Sequence, residues 1–280
     1  MLVLEPTTDL LEVALVFEMI VDSREREAPR VGLAEVVVVS SLCEIRTLFF
    51  DGAQSAGRTL DEAESVASRL EFASLIVLTD LDVGSDGSPP TVHMLEFLSR
   101  LSPGARIMSV GDAAGFSRVP VRLSRGRAHR LASSMGWQRE LSTGSNSASH
   151  HPIGTFVFRD PRPFHPGRLS AALEMDLVVG RVGRILRSKG FVRLASRPER
   201  VGLWSTAGDV LRLDPTSMLS WDVESPLGQE IVFFGHNLDR SALADYLGSC
   251  LLTPDELEAG PATWATYRDD FPVWDAEHHH

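Results

Sequence analysis

One lysine, Lys189, serves the whole 280-residue chain; every other basic residue that stays charged is an arginine. A phosphate-binding P-loop, Gly-x-x-x-x-Gly-Lys-[Ser/Thr], cradles phosphates with backbone N–H groups and neutralises the β/γ charge with its lysine. Lys189 stands in Arg187-Ser188-Lys189-Gly190, with no glycine-rich loop before it and no Ser or Thr directly after it. These residues therefore contain no P-loop, and a guanine-reading Asn-Lys-x-Asp is excluded for the same reason. Cys43 and Cys250 are far apart, and each reads as a small buried hydrophobe. His150-His151 offers two imidazoles where zinc normally takes three or four ligands, so it is a weak metal candidate. His278-His279-His280 can chelate adventitiously and is set aside. A Gly-x-Ser-x-Gly nucleophile elbow is absent. His165, between Phe164 and Pro166, reads as a capping or packing residue at a helix start. Trp204, Trp221, Trp264 and Trp274 read first as core residues. Trp204 and Trp274 are also the candidates for a partner surface, Trp274 if it is exposed.

The elements that must position these residues change character midway. Asp9 to Val21 carries apolar residues at helical spacing behind plausible N-caps Thr7, Thr8 or Asp9. Val36 to Val39 is β-branched throughout and reads as a parallel strand buried on both faces. Thr59 to Phe72 reads as a helix capped by Thr59, with Glu62 three residues on. Leu75 to Leu78 is a second buried strand, and it runs into Thr79-Asp80-Leu81-Asp82, whose two carboxylates read as turn and solvent-facing groups. Thr91 to Leu101 is helical and Ala105 to Val110 is a third strand. This alternation implies a parallel sheet with helices on its faces.

From about Gly111 to Pro152 the pattern breaks, and Ser142 to Ser149 has the composition of a flexible linker. Arg118 to Arg130 holds five arginines and reads as a solvated, poorly ordered surface stretch. Beyond it come a strand at Gly154 to Arg159 and a helix at Pro166 to Val179. Further strands follow at Gly190 to Ala195, Val201 to Ser205, Asp209 to Leu213 and Glu230 to Phe234. Asp239 caps another helix, and Leu252-Thr-Pro-Asp-Glu opens a last one. Strands outnumber helices here, which predicts an α+β domain with a mostly antiparallel sheet.

Composition sets the outer bounds. The balance of 43% hydrophobic and 23% charged residues is that of a globular protein. A net charge of −11 argues against broad nucleic-acid binding, which needs clustered cations. No apolar run approaches the roughly 18 residues of a membrane span. The first residues do not read as a signal peptide, and two isolated cysteines suit a reducing compartment, so cytoplasm is the expected location.

The second half carries Arg162-Pro-Phe-His-Pro-Gly-Arg-Leu169, Gly190-Phe191, Leu194-Ala-Ser-Arg-Pro198, Gly202-Leu-Trp-Ser205, Gln229-Glu-Ile-Val-Phe-Phe-Gly235, Leu251-Leu-Thr253 and Asp270-Phe-Pro-Val-Trp274. In this order and spacing they resemble the C-terminal domain of CobW-like proteins. More faintly, Val3 to Asp9, Ala34 to Leu42 and Leu70 to Thr79 resemble strands of the GTPase domain of the CobW/HypB/UreG class, nearest to actinobacterial CobW-like proteins. The resemblance implies an α/β protein: an incomplete, degenerate, P-loop-GTPase-like parallel-sheet domain over 1–140, begun partway through. A flexible linker over 141–153, an α+β CobW C-terminal domain over 154–274 and a tail over 275–280 complete it. By the same resemblance Asp80 and Asp82 fall at the guanine-reading position, Glu5 becomes a remnant of a Mg²⁺-proximal carboxylate, and His150 and His151 sit where such proteins often carry histidines. The family's Cys-x-Cys-Cys metal motif has no counterpart in this chain. The expected role is a non-catalytic binding or adaptor protein linked to zinc homeostasis, with a protein partner, a dimer as one option and no resident cofactor. The alternative is a GTP-dependent metallochaperone, with GTP, Mg²⁺ and zinc implied by the resemblance alone.

Overall fold

In the computed structural model, residues 2–24, 31–51, 60–81, 89–115, 125–144, 152–175, 182–208 and 210–274 are described. The chain divides into two compact units, Met1–Ser142 and Thr143–His280, each an assembly of helices and strands.

The first unit begins with α1 (Leu10–Arg24), whose N-cap is Asp9: its Oδ1 accepts from the N–H groups of Leu11 and Glu12 at 2.8 and 3.1 Å. Three strands follow, β1 (Val37–Ser40), β2 (Leu75–Leu78) and β3 (Arg106–Ser109), paired in parallel in the order β1-β2-β3. Between them lie α2 (Leu42–Ile45, continued as a wider turn over Arg46–Phe50), α3 (Leu60–Phe72) and α4 (Pro89–Leu101). After β3 come α5 (Val110–Gly115), α6 (Arg127–Ser134) and α7 (Gly136–Thr143). Prolines at the start of α4 suit a first turn whose N–H groups have no intrahelical partner. Central strand β2 is buried at every position, as an all-apolar run requires.

Strand β1 is different. It is the outer strand of the described sheet, and only alternate residues are covered: Val38 is buried, whereas Val37 and Val39 are 50% and 60% exposed. The expectation of a strand buried on both faces is corrected accordingly; four valines in a row show β-propensity but not which faces find a neighbour. Leu2 to Leu4 form no strand. Cys43 is exposed rather than buried, because it lies on the outer side of the first turn of α2. Of the arginine-rich stretch, residues 125–130 are described: Glu18 accepts from the N–H groups of Arg127 (2.7 Å) and Ala128 (3.1 Å), capping α6 from α1.

The second unit is a five-stranded antiparallel sheet of β4 (Ile153–Asp160), β5 (Arg184–Val192), β6 (Arg200–Ala207), β7 (Val210–Leu219) and β8 (Gln229–His236), in the order β4-β8-β5-β6-β7. Helices α8 (Pro166–Met175) and α9 (Arg240–Ser249) pack on one face through Leu169, Leu243 and Leu247. That face presents Phe156, Phe158, Ile231, Phe233, Trp204 and Leu213, which the register puts on one side of the sheet. Helix α10 (Pro254–Trp264) opens on a capping box from Thr253 and Glu256, and breaks at Gly260 (φ 76°) before Pro261.

Strand β5 starts at Arg184, six residues ahead of its expected Gly190. Arg184, Arg187 and Lys189 hide it in the sequence, and a bulge between Ile185 and Arg187 breaks its alternation. Lys189 therefore lies in mid-strand, opposite Ser205 and Val232. Helix α7 runs on to Thr143, and most of the expected linker lies outside the described residues. No helix among the described residues is long and apolar enough to cross a membrane.

Candidate functional site

In open α/β sheets, ligands gather beyond the carboxyl ends of the parallel strands. Here, among the described residues, the helix starts at those ends are occupied by the chain's own side chains. Asp80, just past β2, reaches the start of α2: its Oδ1 accepts from Leu42 N at 2.7 Å and its Oδ2 from Cys43 N at 3.0 Å. Ser41 is the N-cap and its Oγ accepts from Glu44 N at 3.0 Å, while Ser40 Oγ donates to Glu44 Oε2 at 2.7 Å. The first three amides of the helix are thus occupied, two of them by a carboxylate. Past β3 the same device recurs: Ser109 Oγ accepts from Asp112 N and donates to Asp112 Oδ2, both at 3.1 Å. A helix start normally welcomes an anion. This one already holds Asp80, and Glu44 and Asp112 add negative charge to the same strand ends. Asp82, the companion candidate, lies outside the described residues, as do His150 and His151. The structure brings Asp80 to a helix cap. Among the described residues, no group of three or more His, Cys, Asp or Glu could hold a metal ion.

In the second unit, α8, α9 and α10 bring together His165, Arg168, Cys250 and Glu256. Arg168 clasps Glu256 through both terminal nitrogens, at 2.8 and 2.6 Å, and also donates to Leu251 O at 2.8 Å. Glu256 closes the capping box by accepting from Thr253 N at 2.8 Å. Its hydrogen bonds to Arg168 hold the carboxyl at a pKa of about 2. His165 Nδ1 accepts from Arg168 N at 3.3 Å and its ring stacks on Tyr267, 4.6 Å between centroids. Burial, and then the neighbouring guanidinium, lower its pKa, so at neutral pH the imidazole is uncharged with its proton on Nε2. Burial pushes the Cys250 thiol up, which keeps it a thiol and a poor metal ligand. The arrangement is a clasp, and it fits the capping or packing role expected of His165.

The clasp predicts a pH dependence. Glu256 titrates lower in the folded state than its ordinary 4.5, so its contribution is complete above about 4.5 and is lost as pH falls toward 2. With a quarter of Glu256 and a third of Arg168 in contact with solvent, screening leaves about 1 kcal/mol. Urea unfolding of the wild type and Glu256→Gln at pH 6 and pH 3 is expected to show a stability gap that shrinks at the lower pH. A gap of equal size at both values would contradict it.

The two tryptophans proposed as partner surface lie elsewhere. Trp204 is fully buried, with Nε1 donating to Ser188 Oγ at 2.7 Å, so it is a core residue and not a surface one. Trp274 is half-buried: Nε1 donates to Leu213 O at 3.0 Å, and Arg197 lies 4.4 Å over its ring. Arg197 in turn holds Asp269 at 2.8 and 3.0 Å, fastening the segment after α10. Sequence reasoning missed both clasps. The Thr253-x-x-Glu256 spacing could have revealed half of the first; nothing local links Arg197 to Asp269, 72 positions away.

Residues 153–251 match the family model of the cobalamin synthesis protein cobW C-terminal domain. The chain is 29% identical over 228 residues to a zinc-regulated GTPase metalloprotein activator 1 of Dictyostelium discoideum, covering 72% of this chain and 46% of that protein. It is 28% identical over 250 residues to a zinc chaperone of Mycobacterium tuberculosis, covering 78% of this chain and 56% of that protein. The chain spans about half the length of these curated relatives. Among solved structures it is similar to the Zn(II)-bound YjiA GTPase from E. coli, with 15% identity, a TM-score of 0.37, and coverage of 80% of this chain and 63% of that one.

Proposed function

We propose that this chain, whose residues 153–251 match the cobW C-terminal domain, is a CobW-like binding protein that acts in zinc homeostasis without hydrolysing GTP itself. The observation that carries this reading is the double engagement of Asp80 with Leu42 N and Cys43 N. At that helix start a phosphate would have to displace a bound carboxylate and approach Glu44 as well. Nor does the first unit contain a lysine to offset the charge. The link to zinc comes from the relatives' names. The intact C-terminal domain would supply the partner-binding surface.

Calorimetric titration of the chain, with residues 275–280 removed, against GTP–Mg²⁺, GDP–Mg²⁺ and Zn²⁺ tests the reading. No saturable heat is expected with ligand up to about 1 mM, a level that corresponds to roughly 4 kcal/mol of binding. Saturable, Mg²⁺-dependent GTP binding would overturn it and would point to a phosphate site built from arginine and backbone.

A second reading, a GTP-dependent metallochaperone, is favoured by the names of the relatives and by the fact that this chain covers about half of their length. Under it, the phosphate-binding motif would be contributed by residues beyond these 280 or by another chain. Its distinguishing result is GTP turnover in the presence of that contribution and none without it.

A further inference from the structure

The nine residues between β7 and β8 are Ser220-Trp-Asp-Val-Glu-Ser-Pro-Leu-Gly228. Hydrogen bonds within the loop and to its neighbours hold its base in place. Ser220 N donates to Glu199 O at 2.9 Å, and Arg193 donates to Ser220 O at 2.6 Å. Asp222 Oδ2 accepts from Leu219 N at 2.9 Å, and the buried Ser225 donates to Leu219 O at 2.7 Å. The large apolar side chains point the other way: Trp221 is 64% exposed, Leu227 86%, and Val223 fully. Expected as a core residue, Trp221 is instead the most exposed tryptophan of the four named from the sequence. A loop that spends its hydrogen bonds on its own shape and leaves Trp, Val and Leu in water has prepaid the ordering cost of binding. Apolar side chains so displayed mark an interaction surface.

Charge narrows the partner. No Lys or Arg lies between Ser220 and Gly228, where Asp222 and Glu224 stand exposed beside the acidic Glu199; of the arginines at the loop's base, Arg193 is spent on Ser220 O and Arg200 pairs in β6 opposite Leu219. An anionic membrane surface would repel this tip. A protein pocket rimmed by cations would attract it.

We propose that the β7–β8 loop is a preformed docking element that inserts Trp221, Val223 and Leu227 into an apolar, Lys/Arg-rimmed pocket of a protein partner. A tryptophan brings roughly 150–250 Å² and a stable interface needs about 800 Å² per partner, so the loop is the centre of a larger contact. The proposal rests on the binding-protein reading. It is read out separately, because the nucleotide titration reports on the first unit and not on this loop.

The test places a photoreactive group at the loop tip. Full-length chain carrying Val223→p-benzoylphenylalanine is irradiated in the cells that produce it, and the adduct is mapped by mass spectrometry. The expected adduct is to an apolar segment of another protein bordered by Lys or Arg. Its yield should fall at least about tenfold when Trp221→Ser and Leu227→Ser are added, as the loss of central aromatic anchors predicts. It should also fall with Glu224→Lys. These side chains are exposed, so the variants should unfold at the wild-type temperature, which checks that the fold is kept. An adduct with a second copy of this chain or with lipid overturns the proposal. So does a yield that survives the double substitution, or one no higher than from the same probe at exposed Ser241.

Discussion

Gly190→Ala is expected to destabilise the second unit by about 3 kcal/mol or more, a large share of the ordinary stability of a domain. Gly190 lies in β5 between Trp204 of β6 and Ile231 of β8. A Cβ there would sit 2.0 Å from Glu230 O and 2.7 Å from Ile231 Cα. Both are backbone atoms of a central strand, so relief requires moving β8 away from β5, with loss of ladder hydrogen bonds and of the contact between Ile231 and the helices. A glycine inside a strand commonly marks such a close approach. Gly154→Ala in β4 is the matched control, because nothing lies within 4 Å of its added Cβ. Urea unfolding should show that control within about 1 kcal/mol of wild type. Equal midpoints for Gly190→Ala and wild type would refute the packing described for β5.

The second large effect falls on Trp204. Truncation to alanine is expected to cost about 3–5 kcal/mol, as for other large buried aromatic side chains. The indole is fully buried and meets Phe233 edge-on at 6.5 Å. Its N–H is the donor to Ser188 Oγ, which itself pairs with Thr206 Oγ1 at 2.7 Å. Trp204→Phe keeps most of the apolar volume and loses that donor, so its cost should be the smaller of the two. If Trp204→Ala left the unfolding midpoint unchanged, the residue could not be in the core.

Much of the fold was legible because its signals are local. Asp9, Asp239 and Thr253 were read as caps or helix openers from their positions, and their side chains do accept from the amides that begin α1, α9 and α10. Strand β2 was legible because four apolar residues buried on both faces need no alternation. The CobW resemblance was carried by short motifs spread over the second half, and the family match at 153–251 covers most of them. What escaped was of another kind. Strand β5 carries Arg184, Arg187 and Lys189, and its polar first half acquires meaning only from β6 and β8 on either side. Trp204 and Trp221 are the same residue type seventeen positions apart, yet one is sealed in the core and the other stands in water.

By itself, then, the sequence determined the inventory: a single lysine, no P-loop in these 280 residues, two distant cysteines, the caps and the apolar runs. Those are properties of residue identity and near-neighbour spacing, which the chain carries whether folded or not. Only the tertiary structure decided where the side chains are spent. It set the Asp80 carboxylate on the first amides of α2, turned Trp204 from a surface candidate into core, and made Arg168 and Glu256, 88 positions apart, into one clasp. Such roles depend on which distant amide, ring or carboxylate arrives within about 3 Å, and that distance is set by packing.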